Sequence, residues 1–528
     1  MNKIKAYNGK VRKSEHIFTL KVKAESNGLG TIKTLLVITL IAIQLAVFVL
    51  SYLYFLQLFR WFTILSFVCT FATCVVVLSS DYHGQAKAVW ILFLLVCFGF
   101  GYVLYFASDK HILFASSRKK YKNIFNKTQN LLPQCDLSHI KENEVLNNVN
   151  YLYNNGRFIA STTSRCEYFS SGNLYFDSLI EDLRKAKEFI FIEYFIISDG
   201  ILLTKLLSIL QDKASEGVEV RIIYDDMGSH GTLKRKTKKQ IKKAGIQLLP
   251  FNKLLPVFNI ALNLRDHRKI VVIDGKVGYT GGTNLADEYT NDRRMYGYWK
   301  DEGIKIIGNA VDNFTIAFLS QWEFLTGKHI DYSRYINKSD CPMFPTSNSV
   351  IIPFMSGPNL DYSIAQNMYS NIISNAEEKL YIMTPYFIPD ETIINLLTIK
   401  AKSGVDVRII LPDVPDKRFV YMVSRNNAEK LISSGVKIYT MKNSFVHSKL
   451  ILTENSAIVG SINVDLRSFN QQFESAVYLN EPLTLVKINQ DFEKTFSHSV
   501  IITDKNMKRN RLSFRVLAGL LNILSTFM

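Results

Sequence analysis

The sequence predicts an α/β protein. Two similar lobes, each a mixed sheet flanked by helices, meet in one shared cleft and follow a set of N-terminal transmembrane helices. Three observations lead there. Residues 34–59, 61–80 and 88–108 carry no charged side chain, and each run has roughly the 20 residues needed to cross a hydrocarbon core. Beyond residue 128, two passages repeat one order of patterns: FDSLIEDLRKAKEFIFIEYFI, then KASEGVEVRIIYDD, and later YSNIISNAEEKLYIMTPYFIPD, then KAKSGVDVRIILPD. Each passage leads into the same short motif, HRKIVVID at 267–274 and HSKLILTE at 447–454.

Taken in order, residues 1–33 form a basic tail with eight Lys or Arg. Such a cluster favours a cytoplasmic N-terminus. Lys110, Arg118, Lys119, Lys120, Lys122 and Lys127 follow the third apolar run and favour the same side. Three full crossings cannot satisfy both clusters, so residues 34–108 are read as two or three transmembrane helices. Residues 109–165 read as a connector, polar from 128 onwards. The first lobe is expected at 166–345 and the second at 346–505. Within each, apolar residues at helical spacing precede β-branched runs, at 218–223 and 405–410. Such runs read as buried strands. Gly217 and Gly404 stand where a helix ends before its strand. Alternating helices and strands imply a largely parallel or mixed sheet with helices on its faces. Residues 506–528 read as a C-terminal helix with basic residues before it, suited to a membrane surface or to packing on the lobes.

The composition narrows the partner. With 63 basic and 46 acidic residues the formal charge is +17, which implies an acidic partner, lipid or nucleic acid. The apolar runs select the lipid membrane and argue against nucleic acid. Cys69, Cys74, Cys97, Cys135, Cys166 and Cys341 include no CxxC or Cys/His cluster, so neither a disulfide framework nor a metal site is expected.

The motifs carry the chemistry. In a strand, residues i and i+2 share a face. His267 therefore projects with Lys269, and His447 with Lys449. Two imidazoles and two ammonium groups in one cleft suit an anionic phosphodiester. One His can attack phosphorus while the other handles the leaving group's proton. The motif acids, Asp274 and Glu454, lie an odd number of residues from their Lys. They are expected to face away, in a structural role paired with a basic group. A small-residue turn and an Asn close each copy, at Asn284 and Asn463.

The duplicated pattern resembles the HxKxxxxD signature of the phospholipase D superfamily, over roughly residues 166–500. EYF at 193–195, YDDMGS at 224–229, RDHRKIVVIDG, TPYFIPD at 384–390 and NVDLRSFNQQFE at 463–474 resemble bacterial cardiolipin synthases more closely. The resemblance implies two phospholipase D-like lobes in a multi-pass enzyme of the bacterial cell membrane, working on phosphatidylglycerol without a cofactor. It implies a nucleophilic His267, with His447 as acid and base, although motif symmetry permits the reverse. It implies Lys269, Lys449, Asn284 and Asn463 on the phosphate oxygens, and Asp301 and Glu474 as carboxylates that orient the histidines. Glu454 departs from the pattern, which has Asp there. The motif residues leave three products of the fold open: a phosphatidyl transfer to a lipid alcohol, a hydrolysis, and a membrane scaffold that has lost its chemistry.

Overall fold

The computed structural model describes residues 39, 42–54, 60–80, 84–108, 115–128, 130–253, 264–360, 363–503, 507 and 511–523. It divides into two units, 1–105 and 106–528.

In the N-terminal unit, Trp61–Ser79 is the one described helix long and apolar enough to cross a membrane. Ala42–Tyr54 and Ala86–Val96 are apolar but shorter. The run at 88–108 is not one continuous helix. Gly84–Val96 and Gly101–Ser108 are separated by a turn, and Gly99 within it has φ +85°. Glycine enters that left-handed region without the Cβ clash that other residues meet. The basic tail at 1–33 lies outside the described residues.

The second unit holds the repeat. The strands are β1 Arg165–Phe169, β2 Phe189–Tyr194, β3 Glu219–Asp225, β4 Gln247–Phe251, β5 Arg265–Asp266, β6 Lys269–Ile273, β7 Val277–Gly281, β8 Tyr298–Lys300 and β9 Gly303–Ile307. They continue as β10 Ile351–Ser356, β11 Lys379–Met383, β12 Phe387–Ile388, β13 Asp406–Pro412, β14 Lys437–Met441, β15 Ser444–Val446, β16 Leu450–Thr453, β17 Ala457–Gly460, β18 Val464–Asp465, β19 Gln472–Leu479 and β20 Ser499–Ile501. The first sheet runs β1-β9-β7-β6-β2-β3-β4, and the second β10-β19-β17-β16-β11-β13-β14-β20. The two orders correspond strand for strand, with β20 added at one edge. In each, three strands are parallel through helical crossovers and the rest return antiparallel.

The helices end as their sequences dictate. Gly217 and Gly404 have φ of +90° and +96°, just past helices Ile201–Ser215 and Glu391–Lys402. The strands bury both faces. In β6, Ile270 and Val272 join a core that also holds Phe354, Val459 and Val477 of the second lobe. Val271 and Ile273 point the other way, into a core beneath helices Gly172–Lys185 and Ile201–Ser215. Alternation along one strand thus builds both the inter-lobe core and the outer layer. The connector is more structured than its polarity suggests. Helix Asn143–Gly156 buries Val145, Val149 and Leu152 against the shared core.

Two short strands tie the lobes at the cleft. β5, of the first lobe, pairs in parallel with β19 of the second. β15, of the second, pairs in parallel with β8 of the first. Each is the segment immediately before a motif His. His267 N–H donates to the Phe473 carbonyl at 2.9 Å, and His447 N–H to the Lys300 carbonyl at 2.8 Å. The backbone of each motif is therefore registered by the opposite lobe.

Candidate active site

The same exchange sets the side chains. Nδ1 of His267 lies 3.0 Å from both carboxylate oxygens of Glu474. Nδ1 of His447 lies 2.7 Å from Oδ2 of Asp301. Each histidine is held by a carboxylate of the other lobe. A carboxylate at Nδ1 fixes that nitrogen as the protonated one and leaves Nε2 for the cavity. The acids are themselves seated: Ser461 Oγ donates to Glu474, and the Glu302 N–H donates to Oδ1 of Asp301 at 3.0 Å. Asp301 and Glu474 are fully buried, and both histidines are over nine-tenths buried.

Gly282 and Ser461 occupy equivalent positions and show how the two half-sites differ. A Cβ on Gly282 would lie 2.0 Å from Asp301 Oδ1, so only glycine leaves room there. In the second lobe the Ser461 hydroxyl is accommodated and hydrogen-bonds to Glu474. Both backbone amides at these positions bond across, Gly282 to the Glu302 carbonyl and Ser461 to the Ser475 carbonyl.

A cavity of about 340 Å³ joins the half-sites. His267, His447, Asn284 and Asn463 all line it. Asn284 is committed on both sides, accepting from the Ile196 N–H at 3.1 Å and donating to the Tyr289 hydroxyl at 2.6 Å. Asn463 is different: its Oδ1 is buried without a partner among the described residues. Phe195 packs edge-on to His267, and Tyr289 and Trp299 flank His447.

Lys269 and Lys449 are completely buried. Each Nζ donates to the carbonyl of its own motif histidine, Lys269 at 2.6 Å. Lys449 Nζ also stands 2.9 Å from His447 Nδ1. That nitrogen cannot accept from the lysine while donating to Asp301, and the carboxylate is the stronger acceptor. Burial and the neighbouring Lys449 pull Lys269 down to about 7, against the attraction of Glu474. Burial likewise lowers Lys449. Burial and the two lysines hold His267 well below its ordinary range, and burial with Lys449 brings His447 to about 4 despite Asp301. Both rings are therefore held neutral near pH 7. The carboxyls diverge. Burial raises Glu474 to about 8. Burial also acts against Asp301, but His447 and Lys449 hold it below the usual carboxylate range.

Asp274 and Glu454 do not line the cavity. Asp274 accepts from the backbone N–H groups of Lys187, Glu188 and Phe189 at 2.8–2.9 Å. Glu454 accepts from those of Glu377, Glu378 and Lys379 at 2.7–3.3 Å. Their partners are backbone amides, which corrects the expectation of a basic group. Both clamp the helix-to-strand turn entering the central strand of a lobe, and the longer Glu454 does the task of Asp274 with its own three amides. The sequence Phe251 to His267 leads as a largely apolar stretch into the site, read equally as core or as a lipid-facing wall; its residues 254–263 lie outside the described residues. Sequence reasoning did not identify Ser461, Glu302, Tyr289 or Trp299. The one available signal was Ser461 standing in register with Gly282.

Comparison with known proteins places the chain in a family. A family model described as "Cardiolipin synthase, PLD-like domain" matches residues 179–298 and 369–500. A cardiolipin synthase of Staphylococcus aureus is 34% identical over 84% of this chain and 92% of its own length. Cardiolipin synthase 2 of Staphylococcus epidermidis is 36% identical over 71% of this chain and 77% of its own. An uncharacterised protein of Streptococcus mutans is 35% identical, over 79% and 89%. The fold is shared with a crystal structure of phosphatidylserine synthase from Haemophilus influenzae, with a TM-score of 0.57 at 14% identity, covering 73% of this chain and 100% of that one. With its duplicated, cross-paired histidine motifs, the chain belongs to the cardiolipin synthase family of phospholipase D-like proteins.

Proposed function

We propose that the protein is a cardiolipin synthase, transferring the phosphatidyl group of one phosphatidylglycerol to a hydroxyl of a second, with release of glycerol. The observation that carries this reading is the reciprocal pairing of His267 with Glu474 and His447 with Asp301 around one cavity, in a chain of this family.

His267 Nε2 attacks phosphorus, and the bond to the departing glycerol oxygen breaks as His447 supplies its proton. The second phosphatidylglycerol then gives its hydroxyl proton to His447 while its oxygen displaces His267 from phosphorus. The carboxyls favour this division of labour. Glu474, accepting at Nδ1, leaves the Nε2 lone pair of His267 free to attack phosphorus. An ionised Asp301 steadies the imidazolium form of His447. The substrate completes the site electrically. A phosphodiester anion in the cavity offsets the positive field of the two buried lysines behind its wall and raises the proton affinity of His447. Lys269 and Lys449 supply positive charge toward the non-bridging oxygens as charge redistributes, and the unpartnered Oδ1 of Asn463 suits a hydroxyl donor of the substrate.

The protein works at the bacterial cell membrane as a multi-pass enzyme. Trp61–Ser79 supports the membrane attachment by length and apolarity, and the number of crossings rests on the apolar runs of the sequence. Helix Leu512–Ile523 buries Ala518 but exposes Leu512 and Val516, with Arg511 and Arg515 beside them. This fits a helix resting in an anionic interface. The test is purified full-length protein in phosphatidylglycerol vesicles. Cardiolipin with an equivalent of glycerol, lost in His267→Ala and His447→Ala, is the expected result. Phosphatidic acid as the main product contradicts a synthase, and output unaffected by His267→Ala contradicts an enzyme.

A further inference from the structure

The product poses a requirement that the two motifs do not meet. Cardiolipin carries two phosphates joined by a three-carbon glycerol bridge. The buried lysines serve the phosphate being transferred. The acceptor arrives with a phosphate of its own, which must sit one glycerol away, and a second negative charge in a partly closed cavity needs its own counter-charge.

The cavity wall has two further groups of charged residues. One is Lys417 with Asp416 and Glu288. There Asp416 accepts from the Tyr386 hydroxyl and, at 2.7 Å, from the Lys417 backbone N–H. One cation faces two carboxylates, so this group has no positive excess. The other group is Arg265 and Arg467 with Gln472 and a single lining carboxylate, Asp465, so here two cations face one acid of the wall. Arg265 is fully buried, and its Nη1 reaches Asp225 at 3.4 Å and the Asn252 carbonyl at 3.1 Å. The Asp225 carboxylate is already shared by the backbone N–H groups of Met227, Gly228 and Asp266. Asp465, the acid nearest Arg467 in sequence, caps the short helix Leu466–Asn470 by accepting from the Ser468 N–H at 2.7 Å. Both acids on this side also accept from backbone donors, while Asp225 pairs with Arg265 and Asp465 attracts Arg467. The two guanidinium groups lie close enough for Arg467 to lower the proton affinity of Arg265 and of His267.

Arg467 is also wired to the reacting histidine. In the amide orientation that satisfies its neighbours, the Gln472 oxygen accepts from Arg467 Nε at 3.2 Å and the Gln472 NH2 donates to Glu474 at 3.2 Å. Glu474 in turn holds His267.

We infer that Arg467, backed by Arg265, forms a second anion subsite that binds the acceptor phosphatidylglycerol through its own phosphate. This inference rests on the proposed synthase activity. Arg467 thereby selects the acceptor. With the acceptor's phosphate anchored, its hydroxyl oxygen bonds to phosphorus, the phosphorus–Nε2 bond breaks and the proton passes to His447. Without the anchor, water makes the same attack and the product is phosphatidic acid.

The experiment compares wild type, Arg467→Gln and Arg467→Lys as full-length protein in vesicles of phosphatidylglycerol diluted in phosphatidylcholine. It reads glycerol release, cardiolipin and phosphatidic acid separately. Expected for Arg467→Gln is a ratio of cardiolipin to phosphatidic acid reduced at least tenfold and a steeper dependence of cardiolipin formation on phosphatidylglycerol. Arg467→Lys, which keeps the charge, restores most of the ratio. An unchanged ratio in Arg467→Gln overturns the inference, as does a loss of glycerol release in step with cardiolipin. Wild-type protein that forms no cardiolipin contradicts the synthase reading itself and the inference with it.

Discussion

Replacing Asp301 by Asn isolates the cross-lobe pairing in a single atom. Asp301 receives two hydrogen bonds on separate oxygens, from His447 Nδ1 at 2.7 Å and from the Glu302 N–H at 3.0 Å. Asparagine has one carbonyl oxygen, so its NH2 must face one of the two donors. The backbone N–H cannot reverse its polarity, but the imidazole can, by moving its proton to Nε2. His447 then presents N–H to the cavity and cannot take the acceptor's proton. Losing a hydrogen bond to a charged group costs about 1.5–3 kcal/mol. At about 1.4 kcal/mol per tenfold in rate, that is roughly a 10- to 150-fold loss. The wrong tautomer adds to this, and a triad acid changed to its amide loses about 10⁴-fold in a serine protease. Turnover is therefore expected to fall about 10²- to 10⁴-fold. Cardiolipin formation in phosphatidylglycerol vesicles measures the fall, and thermal unfolding checks that the fold survives. Because Asp301 acts through His447, adding Asp301→Asn to His447→Ala costs at most about threefold more. Turnover near wild type in the single variant, or a further large loss in the double, refutes the reasoning.

Other expectations follow from the same geometry. Gly282→Ala pushes a methyl onto the buried Asp301 carboxylate, lowers activity at least about tenfold and destabilises by about 1–3 kcal/mol, whereas Ser461→Ala loses only one hydrogen bond to Glu474 and is milder. Asp274→Ala orphans three backbone N–H groups and destabilises by about 2–5 kcal/mol in denaturant unfolding, while Glu454→Asp stays within about 1 kcal/mol because Glu454 is half-exposed. Asp312 is buried, and burial raises its carboxyl to about 7. Its folded-state value lies above the unfolded one, so stability declines as pH rises from about 4 and the loss is complete above about 7. Asp312→Asn removes this decline, and melting curves of the two proteins diverge across that window.

Much of this architecture is written locally. The repeated helix-strand patterns gave two sheets of matching order because each β-branched run must bury both faces. Parity along the strand expected Asp274 to face away from His267 and Lys269, but β6 ends at Ile273 and Asp274 turns off it at φ +53° onto backbone N–H groups; Gly217 and Gly404 sit at positive φ where their helices stop. What the sequence did not carry is which acid serves which histidine. Asp301 and Glu474 are distant from their partners in the chain, and the pairing exists only because β5 and β15 cross to the other lobe. Nor could composition tell that 88–108 breaks at Gly99, or that the connector helix Asn143–Gly156 packs on the shared core. Apolarity sets what is buried, while chain direction and tertiary partners decide how. The Asp274 clamp was misread for a related reason: backbone N–H groups leave no trace in a list of side chains.

The most direct measurement is to quench the full-length protein during turnover of phosphatidylglycerol and map the covalent intermediate by peptide mass. A phosphatidyl group on His267, absent from His267→Ala, is the predicted result. The same group on His447 would reverse the two roles, and cardiolipin formed with no covalent adduct on either histidine would contradict the account.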